Sequence, residues 1–241
     1  MNGGKGAKID IRETGRTKAG KTVRSDRRLF VQFLAFGGAP DPQKAARAAA
    51  RRGIDCVIYA DLNDPRGIGI LFMSEDENFF VDGLRNILNS APFDSLALKG
   101  EYSMFGRTYS LGYESDLDET LVDAPKRKML DPDWPWAVWY PLRRAKGFET
   151  LSGDEQRAVL GEHGKLGFKY GEAGLVKDIR LACHGVDKKD NDFVIGLLGR
   201  HLYPLSSVVQ AMRKTKQTSQ YIEEMGPFFA GKAIFKTGSR K

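Results

Sequence analysis

Histidine and cysteine are scarce in this chain, and their scarcity removes whole classes of chemistry. The 241 residues include three histidines and two cysteines, Cys56 and Cys183. No H-E-x-x-H or C-x-x-C pair is present, so a zinc site has no ligand set at the usual spacing. Two isolated cysteines make no disulfide framework, which fits a reducing cytoplasm. A G-x-S-x-G elbow is missing, and "MNGGKG" at the start lacks P-loop spacing. No stretch approaches the ~18–20 apolar residues of a membrane span, and the N-terminal segment has no apolar run of the secretory type. No membrane partner is expected.

What is abundant is positive charge, at the ends. The formal net charge is +7. Residues 1–28 hold nine Lys/Arg against three acids, and the last ten residues add four more, leaving a body of −3. Basic tails bind polyanions without sequence preference, so no specific nucleic acid partner is expected. Residues 1–27 read as a solvated, disordered basic tail.

Between the tails the elements repeat. "RLFVQFLAF" is a β-type run, and "DPQKAARAAARRG" follows as a helix with Asp41 as N-cap, Pro42 at its first position and Gly53 as its stop. "DCVIYADL" and "GIGILFMS" make a hairpin across "NDPRG". "EDENFFVDGLRNILNS" places Phe80, Leu84, Ile87 and Leu88 on one helical face, and "SLALKGEYSMFGRTYSL" returns as strand. The second half runs in the same order: "WAVWYPLRR", a helix from Leu151 onward, the hairpin strands "LVKDIRLACHG" and "DFVIGLLGR", the helix "LSSVVQAMRKT", and "GPFFAGKAIF" as turn and strand. Two β-α-β-β-α-β units predict an α+β fold: tandem ferredoxin-like units with antiparallel sheets. The expected divisions are 28–114 for the first unit, 115–135 for an aperiodic connector and 136–241 for the second unit.

One helix carries the most chemistry. Ser152 and Glu155 form an S-x-x-E capping box in "LSGDEQRAVLGEHGKLGFKY". Val159 and His163 share a face, and Gly164 is expected to end the helix. An imidazole there either caps the last carbonyls or ligates a metal or a haem iron; the local sequence leaves both open.

The wider pattern resembles a known family. A strand ending in "YP", a basic residue, then "L-x-x-D-E-Q-R-x-x-L-x-E-H-G" and the late "AMRKTKQTSQYIEEMGPFFAG" are similar to the chlorite dismutase-like haem proteins, and more narrowly to the coproheme decarboxylases. The resemblance spans Trp136 to Gly231. It implies two ferredoxin-like units in a dimeric α+β barrel, assembled as a homopentamer, with haem b or coproheme as the porphyrin ligand. His163 then matches the proximal iron ligand. Tyr140 matches the tyrosine that passes an electron or hydrogen atom to start loss of a propionate carboxyl group. Arg144, on the opposite strand face from Arg143, stands where those enzymes place a cation against propionates.

The resemblance also implies a distal face built differently. Val176, Asp178 and Arg180 alternate onto one side of their strand, with Asp178 where chlorite dismutases carry arginine and the decarboxylases carry glutamine or alanine. A carboxylate and a guanidinium there suit peroxide heterolysis, one moving the proton and the other stabilising the developing anion. Residues 115–135 contain no histidine, where some decarboxylases place a base, so Asp178 or water would take that proton step. The expected function is haem-dependent oxidation with hydrogen peroxide or another small oxidant, foremost coproheme decarboxylation to haem b. A peroxidase-like or chlorite dismutase reaction through Asp178 and Arg180 is the alternative, and a non-catalytic haem carrier or sensor is a further one.

Overall fold

The computed structural model describes residues 9–238. Its strands are β1 (Glu13–Arg16), β2 (Thr22–Ser25), β3 (Phe30–Gly37), β4 (Cys56–Asp61), β5 (Ile68–Ser74), β6 (Ala97–Arg107), β7 (Trp136–Arg144), β8 (Lys177–Ala182), β9 (Phe193–Gly199), β10 (Ile222–Met225) and β11 (Phe229–Lys236). The helices are α1 (Pro42–Arg52), α2 (Gly83–Leu88), α3 (Ala124–Leu130), α4 (Gly153–Glu172), α5 (Leu202–Met212) and α6 (Lys216–Tyr221).

Strands β3 to β6 form one antiparallel sheet in the order β4-β5-β3-β6, and the second unit repeats the arrangement as β11-β7-β9-β8. Both are the ferredoxin-like order expected from the two β-α-β-β-α-β runs. Pairing of β4 with β11 along five registered positions joins the sheets on one side, and the single pair Arg107–Ala182 closes β6 onto β8 on the other. The result is an α+β barrel, joined along β4–β11 and closed at one end of β6 on β8. Strand β10 adds to β7 outside the ring.

Alternation along each strand divides the side chains between two cores. Val31, Phe33, Tyr59, Leu71, Trp139, Ile179, Leu181 and Phe229 point into the barrel. Two glycines make that interior possible: a Cβ on Gly196 would stand 2.4 Å from the Trp139 ring, and one on Gly69 would stand 2.5 Å from Phe33. The other strand face is covered by helices. Helix α1 begins as its sequence dictates, the Asp41 carboxylate accepting from the Gln43 amide at 3.1 Å, and it stops at Gly53 with φ +61°. Its Ala45, Ala46, Ala48 and Ala49 pack on Leu34, Ile58, Ile68, Ile70 and Phe72.

Four expectations need correction. The long helix expected over "EDENFFVDGLRNILNS" is broken into a 3₁₀ turn, Glu77–Phe80, and the short α2. Asp82 and Gly83 fall at the break, where helix propensity is weak. The connector is not aperiodic: a π-helical turn over Glu119–Asp123 runs into α3. Leu117, Leu121 and Val122 of the connector bury against Val23. That contact accounts for the third correction, because Glu13–Ser25 is a β-hairpin rather than a solvated tail. Glu13 also accepts from Arg107 at 2.8 Å and from the Ser110 amide at 3.0 Å, tying the hairpin to β6. The remainder of the expected tail, residues 1–8, lies outside the described residues.

The fourth correction concerns α4, which continues through Gly164 to Glu172. Glycine weakens a helix by only about 1 kcal/mol relative to alanine, and packing offsets it here. A Cβ on Gly167 would stand 3.3 Å from Met212 Cε, so the glycine lets α5 approach. One turn later Tyr170 bonds Ser207 of α5 at 2.9 Å. The helix stops at Gly174, with φ +65°. Among the described residues, no helix is long and apolar enough to cross a membrane.

Candidate functional site

The outward face of the second sheet is where the singled-out residues converge. On β7 the alternation that sends Ala137 and Trp139 inward sends Val138, Tyr140, Leu142 and Arg144 outward under the helices. On β8, Ile179 and Leu181 point inward, so Asp178 and Arg180 point outward beside Val176. Strand β9 lies between them and pairs Ile195 with both Tyr140 and Arg180, placing these two side chains in one row across the sheet.

His163 descends onto this face from the middle of α4. Its Nδ1 lies 3.1 Å from the Thr215 hydroxyl, at the start of α6. Burial first, then the Arg180 charge, lower its pKa below the ordinary histidine value, against the opposing pull of Glu162 and Asp178. The ring is therefore neutral near pH 7, as a metal ligand must be. A helix-end capping role is removed, since α4 runs well past it.

Tyr140 is buried, with its ring stacked on Phe228 at 4.5 Å between centroids. Burial raises its pKa well above the usual phenol range, with the Arg213 charge opposing, so it stays protonated at any working pH. Arg144 stands four residues on, its guanidinium 4.5 Å from the Phe148 ring centroid and 4.7 Å from that of Phe193. Its Nε is buried without a hydrogen-bond partner, and Glu149 is 3.6 Å from the guanidinium. Glu149 already supplies one anion, and the buried Nε–H is a donor left over, which a further carboxylate could accept in a charge-assisted hydrogen bond. Arg143 faces the other way and binds the Lys189 carbonyl and Glu224.

Asp178 and Arg180 form an ion pair at 3.1 Å, each side chain about half exposed. Lys128 of α3 donates to the Asp178 carbonyl at 3.2 Å. The pair lines a cavity of about 250 Å³ whose other walls come from Tyr109 and the connector, including Glu119 and Pro125. Tyr109 and Arg213 belong to the same neighbourhood, Tyr109 sensing the charges of Arg180 and Arg144 and Tyr140 sensing that of Arg213. Neither they nor Thr215 were singled out by the sequence. Their only local signal is Thr215 followed three residues later by Thr218, a helix-start pattern.

Among the described residues no group of three or more His, Cys, Asp or Glu would hold a metal ion. A metal bound through His163 alone would need its remaining ligands from elsewhere, as an iron in a porphyrin has them. One neutral imidazole, a half-buried guanidinium with a donor to spare and a protonated phenol on a shared face fit such a group.

Comparison with known proteins agrees with the fold. The family described as chlorite dismutase matches residues 84–234. No curated protein sequence matches the chain. Among solved structures, a haem-binding protein from Thermus thermophilus is similar, with 18% identity over 86% of this chain and 91% of its own, at a TM-score of 0.67. A single-residue variant of chlorite dismutase from Candidatus Nitrospira defluvii shares 15% identity over 87% of this chain and 92% of its own, also at 0.67. At these identities the likeness is one of fold. The closed pair of ferredoxin-like units and the match over most of the second unit lead to one conclusion: this chain belongs to the chlorite dismutase family.

Proposed function

We propose that the protein is a haem-dependent oxidoreductase with His163 as the iron ligand, and that its reaction is peroxide-dependent decarboxylation of coproheme to haem b. The observation that supports this reading most is the pairing on β7 of a buried, protonated Tyr140 with Arg144, whose buried Nε lacks an acceptor. A bound iron porphyrin would activate hydrogen peroxide, which is the source of the oxidising equivalents. Each of the two reacting propionates would lose carbon dioxide, two electrons and one proton to leave a vinyl group, while one hydrogen peroxide takes up those two electrons and two protons to become two waters. Arg144 holds a propionate carboxylate through charge-assisted hydrogen bonds. Tyr140 gives up a hydrogen atom and recovers one from the bound propionate chain. Its raised pKa suits that role, because the phenol then moves proton and electron together and never rests as phenolate. Asp178 accepts and returns the peroxide proton, and Arg180 stabilises the anion that forms.

The Asp178–Arg180 pair at the cavity wall favours a second reading, peroxidase-like turnover of small molecules. Porphyrin mass separates the two. Incubation of the protein with coproheme and peroxide is expected to remove two carboxyl groups. An unchanged mass with turnover of a peroxidase dye would leave only the second reading. His163→Ala is expected to remove the axial imidazole signature from the haem spectrum, and an unchanged spectrum overturns the ligand assignment and both readings with it.

A further inference from the structure

Thr215 makes contacts that its place at a helix start does not account for. It is buried at 5% exposure, 52 positions from His163 in the chain, yet its hydroxyl meets the imidazole at 3.1 Å. The residue is the N-cap of α6, where its oxygen accepts from the Thr218 amide at 3.5 Å. A threonine hydroxyl has one proton to give and two lone pairs. Three acceptors compete for that proton: the Met212 carbonyl at 2.8 Å, His163 Nδ1 at 3.1 Å and the Thr218 hydroxyl at 3.4 Å. The carbonyl is the nearest and can only accept. Donation there leaves Oγ1 as the acceptor for the imidazole, and Nδ1 must then carry the hydrogen.

We infer that Thr215 is a positioning residue that fixes His163 in its Nδ1–H tautomer, so that Nε2 presents its lone pair to the iron. The inference rests on the iron-ligand reading of His163 given above. A neighbouring contact supports it: the Glu162 carboxylate accepts from the Lys216 amide at 3.0 Å. Two adjacent residues of α4 are thus tied to two adjacent residues at the start of α6, which sets the rotation of α4 as well as the ring's tautomer. Outer partners of this kind orient a metal-bound histidine and raise its basicity. A threonine oxygen is a neutral acceptor, so it holds the ring as imidazole without the imidazolate character that a carboxylate partner would impart.

Nitrogen-15 spectra of the imidazoles test this on the full chain without porphyrin, with His163 assigned by its loss in His163→Gln. The expected result is an Nδ1-protonated, Nε2-unprotonated ring in the wild type, and a shift toward the Nε2–H form in Thr215→Val. In the haem-loaded protein Thr215→Val should lower the iron–imidazole stretching frequency and speed haem loss by about 10–100-fold. Thr215→Ser, which keeps the hydroxyl and the cap, should restore both. An Nε2–H ring in the wild type, or an unchanged tautomer and stretching frequency in Thr215→Val, overturns the inference. If Thr215→Val does not fold, the wild-type tautomer and Thr215→Ser decide alone. Failure to bind haem sinks the ligand reading, and the tautomer spectra show separately whether Thr215 sets the ring.

Discussion

The two sheets of the barrel have the same strand order and opposite outer faces. Over the first sheet, α1 lays a row of alanines on Leu34, Ile58, Ile70 and Phe72, an apolar layer throughout. Over the second, Tyr170 of α4 and Met212 of α5 pack with Tyr140 and aliphatic strand neighbours, and Arg144, Asp178, Arg180 and His163 lie on the same side of the sheet. In one ferredoxin-like unit the helix–sheet layer is purely apolar core, and in the other an apolar core is bordered by the ionisable side chains on which the proposed function rests.

Changes that fall on one face should leave the other's property intact. The largest effect is expected from Tyr140→Phe. Decarboxylation should fall by roughly 10²-fold or more, the scale of a lost proton-transferring group. Thermal stability and axial ligation should be nearly unchanged, because the ring and its stack on Phe228 remain. Retained decarboxylation would remove Tyr140 from the reaction. On the first face, Ile70→Ala should cost about 2–5 kcal/mol of stability by opening a cavity under α1. Denaturant unfolding measures that loss, and a titration with haem should show unchanged affinity in the folded fraction. A loss of haem binding in the folded protein would break the division of labour between the faces.

The smallest effect lies outside both faces. Burial would raise the Asp131 pKa, but the Lys177 ammonium at 2.7 Å and the Asp133 amide outweigh it and hold the carboxyl below its ordinary 3.8. A lowered folded-state pKa gives stability that is present above the unfolded value and is lost as pH falls through the folded one. Asp131→Asn should therefore cost no more than about 1 kcal/mol near neutral pH. The gap from wild type should close in acid, as read by unfolding midpoints at about pH 7 and about pH 3. A gap that widens in acid would contradict the sign.

Much of this is legible from residue patterns. The strand runs, the Asp41 and Ser152 caps and the order of elements give both ferredoxin-like units, because local periodicity reports which face of each element is apolar. His163, Tyr140 and Arg144 stand out as candidates only through the longer motif from "WYPLRR" to "GPFFAG". The end of α4 is not, because Gly164 looks like a stop. The helix is carried through by Met212 against Gly167 and by Tyr170 on Ser207, contacts made with a helix more than thirty positions away. The hairpin over Glu13–Ser25 escapes the sequence for the same reason. Its stability comes from Glu13 on Arg107 and Val23 on Leu121, and short polar strands carry little signal of their own.

By itself the sequence determined the elements, their order and the chemistry available, since caps, turn residues and alternation act over a few positions. Only the tertiary structure decided that β4 meets β11 and β6 meets β8. It alone brought Thr215 to His163 and left the Arg144 Nε without an acceptor. Those are pairings between residues far apart in the chain, and nothing in either partner's local sequence encodes the distance between them.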